Sequence, residues 1–223
     1  MIRILNIETA TEVCSVCISE NQHPVAWTDI KEPNSHSTSL TPAIEQLFSK
    51  TGKNLRDLHA VAFSSGPGSF TGLRIGAATA LGICYAMNLP LIAVPTFLPM
   101  TQAAITETGN KEALYCPLIA SVKNEVFCAL YNSALQEIEP PSARDQSLDS
   151  FQPYLRKHII FLFGNGLQKV KESVTSNNYR FIQLSNSAYY MPSFSFQYFQ
   201  LEKFTNLHEL RIEYLKNFVP KKN

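Results

Sequence analysis

The stretch that most restricts the fold of this chain is Ser65-Gly66-Pro67-Gly68-Ser69-Phe70-Thr71-Gly72-Leu73-Arg74-Ile75-Gly76, a glycine-rich loop. It joins an apolar run, Ala60-Val61-Ala62-Phe63-Ser64, to a nearly uncharged helical segment. A short, continuously apolar run reads as a parallel strand buried on both faces. The loop therefore lies at a strand's carboxyl end, where open α/β sheets bind ligands. It nevertheless fails the phosphate-binding templates. A P-loop ends in Gly-Lys-Ser/Thr, which this chain nowhere contains, and no lysine follows the loop's glycines. A dinucleotide fingerprint starting at Gly66 needs its third glycine where Thr71 stands, and Pro67 has no N–H to offer a pyrophosphate.

Ser69 is placed to cap the following helix, about residues 70–87, whose one charge is Arg74. Gly72, Gly76 and Ala80 recur four apart and form a ridge of small residues on one face. Glycine in a helix interior costs about 1 kcal/mol relative to alanine, so two of them imply a close approach by another backbone. Periodicity leaves open whether that backbone belongs to the same chain or to a partner.

The 223 residues suffice for one large domain or two lobes. A formal charge of +1 gives no electrostatic footprint for tight nucleic-acid binding by this chain alone. Five cysteines, an odd number in apolar contexts, argue against a disulfide framework and for the cytoplasm. Cys14 and Cys17 have the spacing of a metal or redox pair, but three positions apart on a strand they point to opposite faces and read as core residues. No two of the five histidines stand at helical ligand spacing, and no metal site is expected. Neither a signal peptide nor a membrane span is expected: Met1-Ile2-Arg3 runs straight into a strand, and the glycine helix is short and glycine-rich.

The expected order is three strands (2–9, 13–20, 24–30), a helix (37–51), a strand (60–65), the glycine helix, a strand (90–94) and a helix to about 108. Leu40, Ile44, Leu47 and Phe48 make the apolar stripe of the first helix, Gly52 ends it, and Pro42 argues for a regular start later than His36. Beyond a boundary at Thr108-Gly109-Asn110-Lys111, strands are expected at 114–120, 126–131 and 158–163, and a helix at 167–174. Residues 132–155, with Pro140-Pro141, are expected as loop with at most one helix. Residues 187–210 read as aromatic, partly helical and interrupted at Pro192.

The segment S-S-G-P-G-S-F-T-G-L-R-I-G resembles the signature of the TsaB (YeaZ) family, bacterial accessory proteins of tRNA threonylcarbamoyladenosine synthesis. So do Ile4-Leu5-Asn6-Ile7-Glu8-Thr9-Ala10-Thr11, with an aspartate commoner where Glu8 stands, and His36-Ser37 and Val94-Pro95-Thr96. The second half matches in patches: Glu125-Val126-Phe127, Gly164-Asn165-Gly166 with Lys169, and residues 214–218. Ser121-Val122-Lys123 departs from the family's usual Asp-Ala-Arg.

The resemblance implies an α/β, actin-like and sugar-kinase-like (ASKHA) fold of two lobes. A complete first lobe would span 1–108 and a reduced second lobe 109–223. Glu8, Thr9 and Thr11 would stand where active members of that superfamily bind phosphate and metal. Side chains at Thr9-Ala10, where a phosphate needs bare backbone, make this a degenerate nucleotide site. No catalytic residue is expected: the Gly-x-Ser-x-Gly elbow is missing, and no histidine base can be assigned to Ser64, Ser65 or Ser69. The family's role is that of a noncatalytic scaffold for the catalytic subunit TsaD, a larger homologue that binds metal through His-x-x-x-His; here His36 is followed by Leu40. Implied partners are TsaD, a second copy of this chain when TsaD is absent, the ATPase TsaE transiently, and tRNA through the complex. ATP or ADP is admitted only at a subunit interface, with no tightly bound cofactor. Carried onto this sequence, the partner surface would use Leu40, Ile44, Leu47, Gly72, Leu73, Gly76 and Ala80. An active phosphotransferase or ATPase of the same fold, or a peptidase acting on its partner, is the alternative. Lys216, Lys221 and Lys222 read as a solvated tail or as phosphate contacts.

Overall fold

In the computed structural model, which describes residues 1–32, 35–207 and 215, the chain builds two five-stranded mixed sheets with one topology. In the first, β1 (Arg3–Glu8), β2 (Cys14–Glu20) and β3 (His23–Ile30) form an antiparallel meander. Helix α1 (His36–Thr51) leads to β4 (Ala60–Gly66), parallel to β1. Helix α2 (Phe70–Met87) leads to β5 (Leu91–Pro95), parallel to β4, and α3 (Phe97–Thr108) follows. The strand order is β3-β2-β1-β4-β5. The second sheet repeats it with β6 (Leu114–Ala120), β7 (Glu125–Asn132), β8 (Glu137–Asp145), β9 (Ile160–Phe163) and β10 (Tyr179–Ile182), ordered β10-β9-β6-β7-β8. Its crossovers have shrunk to four-residue helices, α4 (Gln152–Leu155) and α5 (Leu167–Val170).

Both faces of the first sheet are covered, which is why its central strands are continuously apolar. Leu5, Ile7, Cys14, Val16, Val61 and Phe63 pack under α1 and α2, while Ile4, Cys17, Ala62, Ile92 and Val94 meet Ala188, Met191 and Phe194 on the other side. Cys14 and Cys17 thus serve separate cores, as the strand period requires. All five cysteines are buried free thiols, and burial holds Cys14 up at about 11. Among the described residues no cluster of metal-ligating side chains occurs.

Several expectations are corrected. The segment expected as loop contains the nine-residue β8, which tolerates Pro140 and Pro141 because it is an edge strand. Helix α1 starts at His36 and runs through Pro42, which is exposed, so the carbonyl it leaves unbonded faces water. The helix expected to reach residue 174 is the single turn of α5. The last helix among the described residues, α6 (Pro192–Gln200), begins at Pro192 rather than being interrupted there, since the first turn needs no N–H from that residue. The segment 109–223 does not keep to itself. Residues 188–199 return to cover the first sheet, and Thr205 N–H donates to Leu91 O (2.8 Å) at its edge. Apolar surface on that face is the physical reason: without α6, Ala62, Ile92 and Val94 would be open to water. Conversely, α3 of the first half packs through Phe97, Met100 and Ala104 on Tyr115, Ile119 and Phe163 of the second sheet. Lys216, Lys221 and Lys222 lie outside the described residues. Among the described helices only α2 is long and apolar enough, by length and composition, to cross a membrane, and it lies against β4 with six residues buried in the chain's own core.

Candidate functional site

Strands β1 and β4 run parallel and end side by side, so the turn after β1 (residues 9–13) meets the glycine loop after β4. The loop is anchored from its far side. Gly66 N–H donates to Thr96 Oγ1 (3.2 Å) and Thr96 N–H returns to Gly66 O (2.8 Å). Ser69 caps α2 as expected, its hydroxyl accepting from Gly72 N–H (3.3 Å).

The glycines serve contact within the chain. A Cβ on Gly68 would stand 2.6 Å from Ala10 O, one on Gly72 would overlap Thr9 O, and one on Gly76 would overlap Thr9 Oγ1. Ser69 N–H, free at a bare helix start, donates instead to Ala10 O (2.7 Å). Space and donors that a phosphate needs at this turn are therefore taken by Thr9 and Ala10, and the turn does not fit a phosphate group.

Beneath the turn lies Glu8, only 1% exposed. Its Oε1 accepts from Ala10 N–H (2.6 Å) and Ser64 Oγ–H (2.9 Å), and the Ser64 oxygen accepts in turn from Thr9 N–H (3.3 Å). Burial pushes its carboxyl up to about 7 against the lowering effect of these donors. Asn186, on the segment returning from β10, also lies close enough to lower it, yet neither of its buried amide atoms reaches hydrogen-bond geometry. Thr11, also buried, accepts from Val13 N–H (3.4 Å) and shapes the same turn.

Across from it stands Gly164-Asn165-Gly166. Asn165 accepts from Ala120 N–H (2.9 Å) through Oδ1 and donates through Nδ2 to the Glu12 carboxylate, joining the turns after β1 and β9. Gly164 has φ 101°, a left-handed geometry that favours glycine, and lies tight against Leu118 O. Lys169 Nζ donates to the carbonyls of Ser121, Lys123 and Glu125 and holds the β6–β7 turn, where the sequence departs from the family pattern. With two carboxylates and a lysine turned to backbone, this junction presents no cluster of free cations to an anionic ligand.

All seven residues expected at the partner surface are buried within the chain itself. Leu40, Ile44 and Leu47 are buried against the first sheet, and Gly72, Leu73, Gly76 and Ala80 face Thr9, β4 and the core. A helix turns its apolar stripe to its own sheet first. What α2 shows to solvent is Thr71, Arg74, Ala78, Gly82, Ala86 and Tyr85, the last 77% exposed, beside half-buried Ile75 and Ile83. A cavity of about 890 Å³ next to this strip lies between α1, α2 and residues 53–57, lined by Phe48, Ile83 and Met87 among others. Sequence reading named Tyr85 nowhere, although its offset from the small-residue ridge was a usable signal. Ser64 stands out in the sequence only as a loop serine, and no local pattern pairs it or Asn186 with Glu8.

The family model of TsaD, tRNA N6-adenosine threonylcarbamoyltransferase, matches residues 32–215. The TsaB biosynthesis protein of Escherichia coli is 36% identical over 129 residues, 58% of this chain and 54% of that protein. The chain spans about half the length of the curated relatives it matches. A Pseudomonas aeruginosa protein with similarity to peptidase YeaZ superposes with a TM-score of 0.83 at 22% identity, covering 97% of this chain and 100% of that one. The activator of 2-hydroxyisocaproyl-CoA dehydratase from Clostridium difficile, with bound ADPNP, does so at 0.53 and 8% identity over 91% of this chain and 96% of that one, a likeness of fold alone. The sheets and these neighbours make the fold ASKHA-like, and the chain belongs to the family that the TsaD model describes, among its TsaB (YeaZ) members.

Proposed function

We propose that this chain acts in tRNA threonylcarbamoyladenosine biosynthesis as a noncatalytic subunit. It binds TsaD in the cytoplasm and supports transfer of the threonylcarbamoyl group to the adenosine beside the anticodon. The observation that carries the noncatalytic part is the seating of Gly68, Gly72 and Gly76 on Thr9 and Ala10, which fills the place a transferable phosphate would need. Glu8, the carboxylate nearest that place, is committed to Ala10 and Ser64. The peptidase alternative is not favoured: Ser64 bonds Glu8, Ser69 caps α2, and no hydrogen bond among the described residues joins a histidine to a loop serine.

For the scaffold part, support comes from the outer strip of α2, where Ala78 and Gly82 form a low surface between exposed Arg74 and the projecting ring of Tyr85. TsaD occupies this strip in the working complex and a second copy of this chain occupies it otherwise, with TsaE a transient partner and nucleotide bound only between subunits. Light scattering after size-exclusion chromatography, on the chain alone and mixed with TsaD of the same organism, tests the reading. A homodimer that converts to a one-to-one complex is expected. An unchanged profile in the presence of TsaD, TsaE and ATP together would overturn it.

A further inference from the structure

A cavity of about 380 Å³ opens between α3 and the segment leading into α6, and shares no lining residue with the turns around Glu8. Among the described residues its only charged lining residue is Glu107; Gln22 and Gln102 add amides, and Tyr189 and Tyr190 form aromatic walls. Burial first, then the carboxylates of Asp29 and Glu107, hold the Tyr190 phenol above its usual range, so the local field is negative. Lys31, on the same strand as Asp29, donates to Ser185 and does not line the cavity. A phosphate or carboxylate ligand would meet Glu107 with no cation among the described lining residues to balance it. An organic cation satisfies both the carboxylate and the ring faces.

We propose that this cavity binds a primary alkylammonium group, from a free polyamine or a partner's lysine side chain, paired with Glu107 and seated against Tyr189 and Tyr190. The site carries its own reporter. Trp27, the chain's single tryptophan, is 50% exposed and packs at a tilt of 58° against Tyr189, with ring centroids 4.7 Å apart. Movement of Tyr189 on binding changes the surroundings of that indole.

Trp27 emission should be followed while the full chain is titrated with spermidine, and separately with Nα-acetyl-lysine methylamide, against sodium chloride of equal ionic strength. A saturable change with either amine, absent with salt and weakened roughly tenfold in Glu107→Gln, is expected for loss of a charge-assisted hydrogen bond. Glu107 is exposed on α3, so this variant should keep the parent's thermal midpoint. Saturation by spermidine alone assigns the site to free polyamines, and saturation by the lysine analogue assigns it to a side chain. No saturable change with either amine up to about 10 mM, or equal binding by Glu107→Gln, overturns the proposal.

Discussion

Glu8 gives a prediction whose size follows from its surroundings. In the unfolded chain its proton leaves near the ordinary 4.5, and in the folded protein burial moves that to about 7. Between these values the folded state holds a proton that the unfolded state has released. Stability therefore falls as pH rises through the window from 4.5 to 7, and the loss is complete above it. The difference corresponds to about 3 kcal/mol, or roughly 10 °C in midpoint for a chain of this size. Glu8→Gln removes the titration while keeping an acceptor for Ala10 N–H and Ser64 Oγ–H. Urea unfolding of both proteins at about pH 5 and about pH 8 is expected to show similar stability at the lower pH and a more stable variant at the higher. Taking the difference cancels the other carboxylates, including Glu20 and Glu139, which hydrogen bonds to Lys53 and Tyr154 hold below the usual range. Parallel pH profiles for the two proteins would mean that Glu8 is charged in the fold at ordinary pH, and the argument from burial would fall.

Three further outcomes are expected. Gly76→Ala drives a methyl into Thr9 and should lower stability by about 1–3 kcal/mol, seen as an earlier urea midpoint; Gly82→Ala, with open space around its Cβ, should not lower it. Tyr85→Arg should leave the thermal midpoint of the isolated chain unchanged and reduce self-association or TsaD binding in light scattering; unaltered assembly would move the partner surface off α2. Lys169→Ala leaves the carbonyls of Ser121, Lys123 and Glu125 without their ammonium, so hydrogen exchange should accelerate at the β6–β7 turn and not in the first sheet.

The first sheet was readable because each of its signals is local. Apolar runs mark β1, β2 and β4, Gly52 closes α1, and Ser69 opens α2. The second sheet hid its edges: β8 carries two prolines and is only partly buried, and β10 has two exposed residues out of four, so neither shows a clear apolar period. The return of α6 to the first sheet was not legible either, because a choice between two apolar faces is a long-range one. In the candidate site, Glu8, Thr9 and Thr11 stand together in the sequence, while nothing local ties Ser64 or Asn186 to Glu8: they stand 56 and 178 positions further along the chain.

The glycine ridge shows why periodicity alone leaves its purpose open. Small residues four apart announce a close approach without saying to what. Here the approaching backbone is the chain's own β1–β2 turn, and the contact spends the loop's free N–H on Ala10 O. The same helix carries a second set of small residues at Ala78, Gly82 and Ala86. Moving from Gly76 to Ala78 turns the helix by about 200°, because each residue advances roughly 100°, so this set faces away from Thr9, and all three are exposed. A phosphate-binding member of such a fold needs bare backbone on the inner side; a subunit that docks through α2 needs low relief on the outer side. The inner side is closed by Thr9 and Ala10 and the outer side is open around Gly82, which agrees with the docking role proposed for α2, and Tyr85 is the side chain through which that proposal can be tested.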